Sequence, residues 1–280
     1  MNGAWVNLDS PQYISRSSDL KTKVTDVTSV PANYVQGPGG LAALRAIASY
    51  DSTLFSLVYS LRTEGYLSYD YVNLVRSQDN GATWVYGDAY LNSYNSNLAN
   101  PRVAIGSLYG VGVLVYTFNF YSSGAAIGIV RSIDGGATWV ADVIRALPGN
   151  TQHGIAFGYG LGSAQGGDGL FVIVGNGPST GSATIGTSPN GAAWTNRNVY
   201  DSVTGSVISE SRVYTDVAVG ANKVVVLNQL GQPVVSTSPE CTTFTQYPAL
   251  PNTHATAFNG KLGYGNGYFM AIGKTSPVLS

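Results

Sequence analysis

The fold of this chain is decided by two matching stretches, RSQDNGATWV at residues 76–85 and RSIDGGATWV at residues 131–140. Both fit the pattern Ser-x-Asp-x-Gly-x-Thr-Trp, and its members are Ser77, Asp79, Gly81, Thr83, Trp84, Ser132, Asp134, Gly136, Thr138 and Trp139. The carboxylate suits a hairpin turn because it accepts hydrogen bonds from turn N–H groups, and glycine permits a positive φ. The tryptophan that follows is expected to pack between sheets. These residues are therefore predicted to be structural.

Three looser copies keep the same register, so the motif is a repeat. They are TSPNGAAWT with Ser188, Asn190 and Trp194, TSPECTTFT with Ser238, Glu240 and Phe244, and RSSDLKTKV with Arg16, Ser17 and Asp19. The third motif position falls at residues 19, 79, 134, 190 and 240, and the separations of 60, 55, 56 and 50 average about 55. A chain of 280 residues therefore holds about five repeats.

Each repeat contains the strands of one propeller blade. Between successive motifs the chain has three apolar runs before the next motif, as in RVAIGSL, GVLVYTF and IGIVRS before residue 134, and one run follows the motif. Four short strands per repeat are typical of a propeller blade. The sequence predicts an all-β fold, a five-bladed β-propeller in a single domain over 1–280, with six blades as the alternative.

The two ends of the chain are predicted to close the ring together. A strand near Tyr13 to Ser17 is expected to pair with a C-terminal strand near Phe269 to Gly273, which would leave no free sheet edge. Residues 1–11 would then be an N-terminal extension. In the alternative closure, TSPVLS at the C-terminus and NGAWV at the N-terminus together imitate the TSPNGAAWT motif.

Composition excludes several classes of partner. Charged residues make up 10% of the chain and the formal net charge is −1, so neither nucleic acid nor an anionic membrane surface is expected to bind. The single Cys241 forms no internal disulfide, and with 2 histidines the chain predicts no metal site and no cofactor. No signal segment and no membrane insertion are expected, so the protein is predicted to be soluble and not exported.

The repeats resemble the Asp-box, or BNR repeat, of the β-propellers in the sialidase-like superfamily. The resemblance implies that ligands bind on the face opposite the boxes. It also implies the catalytic set of a sialidase: three arginines, a Tyr/Glu pair and an Asp. The arginine motif of that family, Phe/Tyr-Arg-Ile-Pro, is absent here, and the closest strings are LRAI at Arg45 and PRVA at Arg102. Glutamate occurs only at Glu64, Glu210 and Glu240. The expectation is therefore a protein that is not an enzyme and has no catalytic residues, with a sialidase-like glycoside hydrolase as the alternative.

One set of residues recurs at the start of the innermost strands and is the candidate ligand site. Its members are Arg45, Arg102, His153, Arg212 and His254, joined by Tyr66 and Tyr69 in the loop RTEGYLSYDY. Converging cations require a counter-charge, so an anionic ligand is predicted, bound more tightly as the pH falls from about 7.5 to about 5.5. In the alternative interpretation the cations pair with carboxylates such as Glu210 and Asp216, and the tyrosines cover blade edges.

The repeat type and the Gly/Ser/Asn/Tyr-rich composition resemble bacteriophage propellers of the tail or virion. This resemblance implies a binding or structural module located in a virion. Its expected partners are other virion proteins or a glycan or protein of the host surface. An intracellular propeller that assists assembly of another complex is the further alternative.

Overall fold

The computed structural model describes residues 5–10, 13–17, 24–27, 43–64, 67–79, 83–94, 99–121, 125–144, 151–162, 168–176, 184–208, 213–236, 238–250 and 261–272. These residues form 22 strands, and no helix occurs among them. Within the same residues there is no helix of the length and apolarity needed to cross a membrane. The described chain is therefore all-β.

The strands fall into six sheets, which we number I to VI in chain order. Sheet I contains β1 (Trp5–Ser10), β2 (Tyr13–Ser17) and β3 (Val24–Val27). Sheet II contains β4 (Ala43–Tyr50), β5 (Thr53–Glu64), β6 (Leu67–Ser77) and β7 (Val85–Tyr94). Sheet III contains β8 (Ala99–Leu108), β9 (Val111–Tyr121), β10 (Ala125–Ser132) and β11 (Val140–Ile144).

The remaining three sheets follow along the chain. Sheet IV contains β12 (Thr151–Tyr159), β13 (Gly169–Asn176), β14 (Thr184–Ser188) and β15 (Thr195–Asn196). Sheet V contains β16 (Asn198–Asp201), β17 (Tyr214–Gly220), β18 (Lys223–Asn228), β19 (Pro233–Ser236) and β20 (Thr243–Gln246). Sheet VI contains β21 (Lys261–Gly265) and β22 (Tyr268–Ile272).

Sheets II, III and IV are antiparallel meanders of four strands, as the repeat predicts. Sheet V has a fifth strand. After β15 the chain passes from sheet IV to sheet V, where β16 pairs in parallel with the outer strand β20. The first strands β4, β8, β12, β17 and β21 contact one another in that order. The sheets therefore follow one another side by side, with their first strands innermost.

The predicted pairing of the two chain ends is wrong. Strand β2 pairs with β1 and β3, whereas β22 pairs with β21, so the two strands lie in different sheets. The reason lies in residues 5–10. These residues were expected to be an extension, but WVNLDS forms β1 and takes the place beside β2.

Ser and Asp side chains hold the motif turns together. Asp134 accepts hydrogen bonds from the Thr138 backbone N–H at 2.9 Å and from the Ser132 hydroxyl at 2.7 Å. Asp79 accepts the same bonds from Thr83 and Ser77 at 2.8 and 2.7 Å. The bonds from Thr83 hold the pKa of Asp79 well below its usual range. Burial opposes the shift at Asp134, but the bonds from Thr138 and Ser132 still lower its pKa.

The tryptophans after the motif turns of sheets III and IV pack against the preceding sheet. Trp139 of sheet III lies with its ring centroid 5.7 Å from that of Phe55 in sheet II. Trp194 of sheet IV is 7% exposed and packs with Val113 and Val115 of sheet III. Both indole N–H groups donate to the glycine carbonyl of their own turn at 3.0 Å. Each turn is thereby tied to an apolar seam between two sheets.

Candidate functional site

A β-bulge recurs near the start of the innermost strand in sheets II to V. The register shifts lie between Arg45 and Ala48, between Ala99 and Arg102, between Gln152 and Gly154, and between Tyr214 and Asp216. Bulges re-aim side chains and are common beside active sites. We call this end of the sheets the mouth end, and the opposite end, where β4, β8, β12, β17 and β21 turn back, the hairpin end.

Arg102 and His153 meet at the mouth end, between sheets III and IV. The Arg102 Nε–H donates to the His153 carbonyl oxygen at 3.1 Å, and Nη1 donates to the Pro101 carbonyl oxygen at 3.0 Å. His153 Nε2 lies 3.3 Å from Asn176 Oδ1. The side chains of Arg102 and His153 are only half-buried. The guanidinium is therefore braced against the neighbouring strand and still reachable from outside.

The environment of His153 disfavours its charged form. Burial lowers its pKa, and the positive charges of Arg102 and Lys261 act in the same direction, while the Asn176 contact opposes them. His153 is therefore neutral near pH 7. The permanent positive charges of the site come from Arg102 and Lys261.

Lys261 reaches the same region from sheet VI and lies beside a carboxylate. Its Nζ is 3.7 Å from Asp216 Oδ2, which also accepts the Leu262 backbone N–H at 3.0 Å. The other oxygen of Asp216 would lie 2.8 Å from a Cβ at Gly154. Any larger residue at 154, in β12, would therefore displace the carboxylate that joins strands β17 and β21.

A polar layer lies beneath Arg102 and His153. The face of β9 that packs on sheet IV is apolar at Val113 and Val115 but carries Thr117 and Asn119 towards the mouth end. Asn119 Oδ1 accepts the Gln152 backbone N–H at 2.7 Å, which fixes β12 beside His153.

Two atoms of this layer lack a hydrogen-bond partner among the described residues, Asn119 Nδ2 and Thr117 Oγ1, and both residues are fully buried. Buried polar groups in folded proteins are almost always satisfied, often by ordered water. The layer is therefore suited to holding water below a polar ligand.

The structure brings together two members of the predicted ring, Arg102 and His153. Arg45 and Tyr69 lie on described strands, β4 and β6, while Arg212, His254, Tyr66 and Gly81 fall outside the described residues. The proposed pairing of a ring cation with Asp216 is not seen at Arg102, whose described bonds go to carbonyl oxygens.

Sequence reasoning missed three residues of this region: Asn119, Asn176 and Lys261. Asp216 was named as a partner of the ring cations in the alternative interpretation, but it lies beside Lys261, which is not a member of that ring. One signal was available. The second strands of sheets III, IV and V carry asparagine at Asn119, Asn176 and Asn228, at or near their ends. An amide recurring where an apolar strand reaches the mouth end marks the change from core to site.

The described residues hold no cluster of three or more His, Cys, Asp or Glu that would bind a metal ion. What the site offers instead is one guanidinium, one ammonium, one neutral imidazole and one carboxylate above a buried amide. Such groups recognise carboxylates and hydroxyls by hydrogen bonding.

No protein-family model matches the chain, and no curated protein matches it. Among solved structures it is similar to an α-L-arabinofuranosidase, arb93a, from Fusarium graminearum, with 14% identity and a TM-score of 0.52 over 96% of this chain and 83% of that one. A protein of unknown function from Dyadobacter fermentans gives 14% identity and a TM-score of 0.50 over 84% of this chain and 61% of that one. The protein YjhT gives 9% identity and a TM-score of 0.50 over 98% and 90% of the two chains.

The Fusarium enzyme is a β-propeller, and the same arrangement of small antiparallel sheets is seen here. The chain has a propeller fold. At identities of 9 to 14% the likeness concerns the fold alone. The chain spans only 61% of the Dyadobacter protein.

The comparisons correct one expectation. The chain was expected not to be an enzyme, but the structures that share its fold include glycoside hydrolases such as the Fusarium arabinofuranosidase. The absence of the sialidase arginine motif therefore does not argue against an enzyme, because this fold also carries other glycosidases. No activity of this chain is established by the likeness.

Proposed function

We propose that this propeller binds an acidic carbohydrate at its mouth end, over the seam between sheets III and IV. The observation that carries the proposal is the Arg102 guanidinium. Two of its five N–H groups donate to the carbonyl oxygens of Pro101 and His153, and the other three have no partner among the described residues. A guanidinium held in this way is suited to binding a carboxylate, because a carboxylate accepts two parallel N–H bonds.

Charge balance supports an anionic ligand. Arg102 and Lys261 are positive and both act on His153, while Asp216 lies beside Lys261. Two cations and one carboxylate leave an excess of positive charge, which a ligand carboxylate would neutralise. His153 and Asn176 add polar atoms within the same half-buried surface.

The buried layer supports a ligand rich in hydroxyl groups. Water held by Asn119 Nδ2 and Thr117 Oγ1 would connect the layer to ligand hydroxyls, and such water-mediated bonds are common in recognition sites. A carbohydrate with one carboxylate and several hydroxyls satisfies both halves of the site. Other propellers of similar fold act on sugars, as the name of the Fusarium enzyme states.

The pH range over which binding is expected to strengthen is lower than the range predicted from the sequence. Burial lowers the pKa of His153 below its usual value near 6.5, so the free protein gains this charge only at a pH below that value. A bound anion would raise that pKa. Affinity should therefore increase as the pH falls from the pKa of the complex to the lower pKa of the free protein.

A glycan array probed with the full 280-residue chain tests the proposal. We expect binding to saccharides that carry a carboxylate and none to their methyl esters, because esterification removes the charge that Arg102 and Lys261 recognise. Each hit is also incubated with the protein and assayed for released sugar. Release would show that the bound glycan is a substrate. Binding confined to neutral glycans, or equal binding to acids and their esters, would contradict the proposal.

A further inference from the structure

The hairpin end of the innermost strands carries a row of exposed side chains with a definite order. The first hairpins of sheets II, III, IV and V present Asp51, Tyr109, Tyr159 and Lys223. Tyr109 is 75% exposed and Tyr159 is 66% exposed, while Asp51 and Lys223 are exposed as well. We call these four residues the hairpin row.

The four hairpins form one continuous surface. The Gly112 backbone N–H donates to Tyr50 Oη at 2.9 Å, which joins sheets II and III. Asp168 of sheet IV accepts the Gly110 backbone N–H of sheet III at 2.6 Å. A Cβ at Gly160 would lie 3.9 Å from Asn222 Oδ1, which places the hairpins of sheets IV and V side by side. The hairpin row is therefore held in fixed positions by contacts between the sheets.

Tyr109 occupies a backbone position that costs free energy. Its φ is +53°, and the equivalent turn positions in other sheets hold Asp51, Ala221 and Asn266, residues of smaller side chain. A bulky residue in the left-handed region is uncommon, and such strain is characteristic of functional positions. Three-quarters of the residue is exposed to solvent. An exposed tyrosine held in this way is the kind of anchor found at recognition surfaces.

The order of the hairpin row is self-complementary. A two-fold axis that lies in the plane of this end and passes between sheets III and IV reverses the order of the sheets in a second copy. Sheet II of one copy then faces sheet V of the other, and sheet III faces sheet IV. Asp51 meets the second copy's Lys223, and Tyr109 meets the second copy's Tyr159, with both contacts made twice.

We propose that the hairpin row is the centre of a two-fold interface with a second copy of this chain. Symmetric self-complementary patches are the usual basis of protein dimers. The tyrosines supply the contact area, and the two charge pairs fix the register of the copies.

A dimer of this form has a consequence that rests on the proposed carbohydrate function. The two mouths point away from each other, so one dimer presents two sugar sites on opposite faces. The avidity of the dimer for a surface with many copies of the glycan would exceed that of the monomer only if both sugar sites bind at the same time. The dimer itself does not depend on the sugar, so the two proposals fail separately.

Sedimentation velocity of the full chain over a range of concentrations tests the interface. We expect the mass to rise from 29.3 kDa towards twice that value as the concentration increases. K223D places like charges opposite each other, and Y109S/Y159S removes the tyrosine rings. Each should weaken dimerisation by about tenfold or more. The double charge reversal D51K/K223D restores opposite charges and should restore the dimer, which a nonspecific effect on folding would not do.

The control variant is V203D, at an exposed residue of sheet V between β16 and the bridge at Val207, away from the hairpin row. It should dimerise like the unmodified chain. A protein that stays monomeric at all concentrations would overturn the proposal. So would a dimer that K223D leaves intact, or one that the double charge reversal fails to restore. If the chain is monomeric and Y109S/Y159S loses array binding, the row is a carbohydrate surface and not a dimer interface.

Discussion

Replacing Trp194 with alanine is expected to lower the free energy of unfolding by about 3 to 5 kcal/mol, the cost typical of truncating a large buried aromatic side chain. Trp194 is 7% exposed and fills the seam between sheets III and IV among Val113, Val115 and Ile127. Its indole N–H also donates to the Gly191 carbonyl oxygen at 3.0 Å, a bond that alanine cannot make. The measurement is guanidinium unfolding followed by tryptophan fluorescence and circular dichroism.

The stability loss of W194A is compared with the losses of two further tryptophan variants, W84A and W139A. Trp84 is 5% exposed, so W84A should cost about as much as W194A. Trp139 is half-buried, and W139A should fall towards the lower end of the range although its ring contacts Phe55 and Tyr116. The control is V140A at a residue 50% exposed, which should change stability by less than about 0.5 kcal/mol. Equal stability of W194A and V140A would show that the motif aromatics do not hold adjacent sheets together.

Replacing Arg102 with alanine is expected to weaken binding of the acidic saccharide by about 10- to 100-fold, the range for loss of hydrogen bonds to a charged group. The side chain contributes its open N–H groups to the ligand and its Nε bond to the His153 carbonyl oxygen. Calorimetric titration with an acidic hit from the array measures the change. R102K keeps the charge but loses the planar fork, so it should recover only part of the affinity.

The control for Arg102 is R76A, at an exposed arginine that precedes the first motif turn at the hairpin end. It removes the same charge from the chain and should leave affinity unchanged. A thermal unfolding curve for each variant separates loss of binding from loss of fold. R102A that binds as tightly as R76A, with both proteins folded, would remove Arg102 from the site.

The repeat could be predicted from sequence because its signals are local. Ser132, Asp134 and Thr138 lie within one turn, and their hydrogen bonds depend on no distant residue. The strand order of sheets II to IV follows from the same local pattern. Closure of the ring could not be predicted in this way, because the strand formed by residues 5–10 competes with β22 for the place beside β2.

The site was predicted only in part because bulges and long-range contacts build it. Arg45 to Tyr59 and Arg102 to Tyr116 share a spacing of 14, yet Tyr59 lies opposite Ala43 while Tyr116 lies opposite Val103. Bulges change the register without leaving a clear mark in the sequence. The contact of Lys261 with Asp216 joins residues 45 positions apart, which no local pattern reveals. Location in a virion rests on composition and resemblance, and it stays a prediction.

The measurement that tests the central claim most directly is the pKa of His153, followed by NMR with and without the acidic saccharide. The chain has 2 histidines, so a H254Q variant assigns the signal. The free protein should give a pKa below the usual value near 6.5, because burial and the charges of Arg102 and Lys261 disfavour the imidazolium. A carboxylate bound at Arg102 should raise that pKa, and the methyl ester should not. A His153 pKa that is the same with and without saturating acidic saccharide would contradict binding at this mouth.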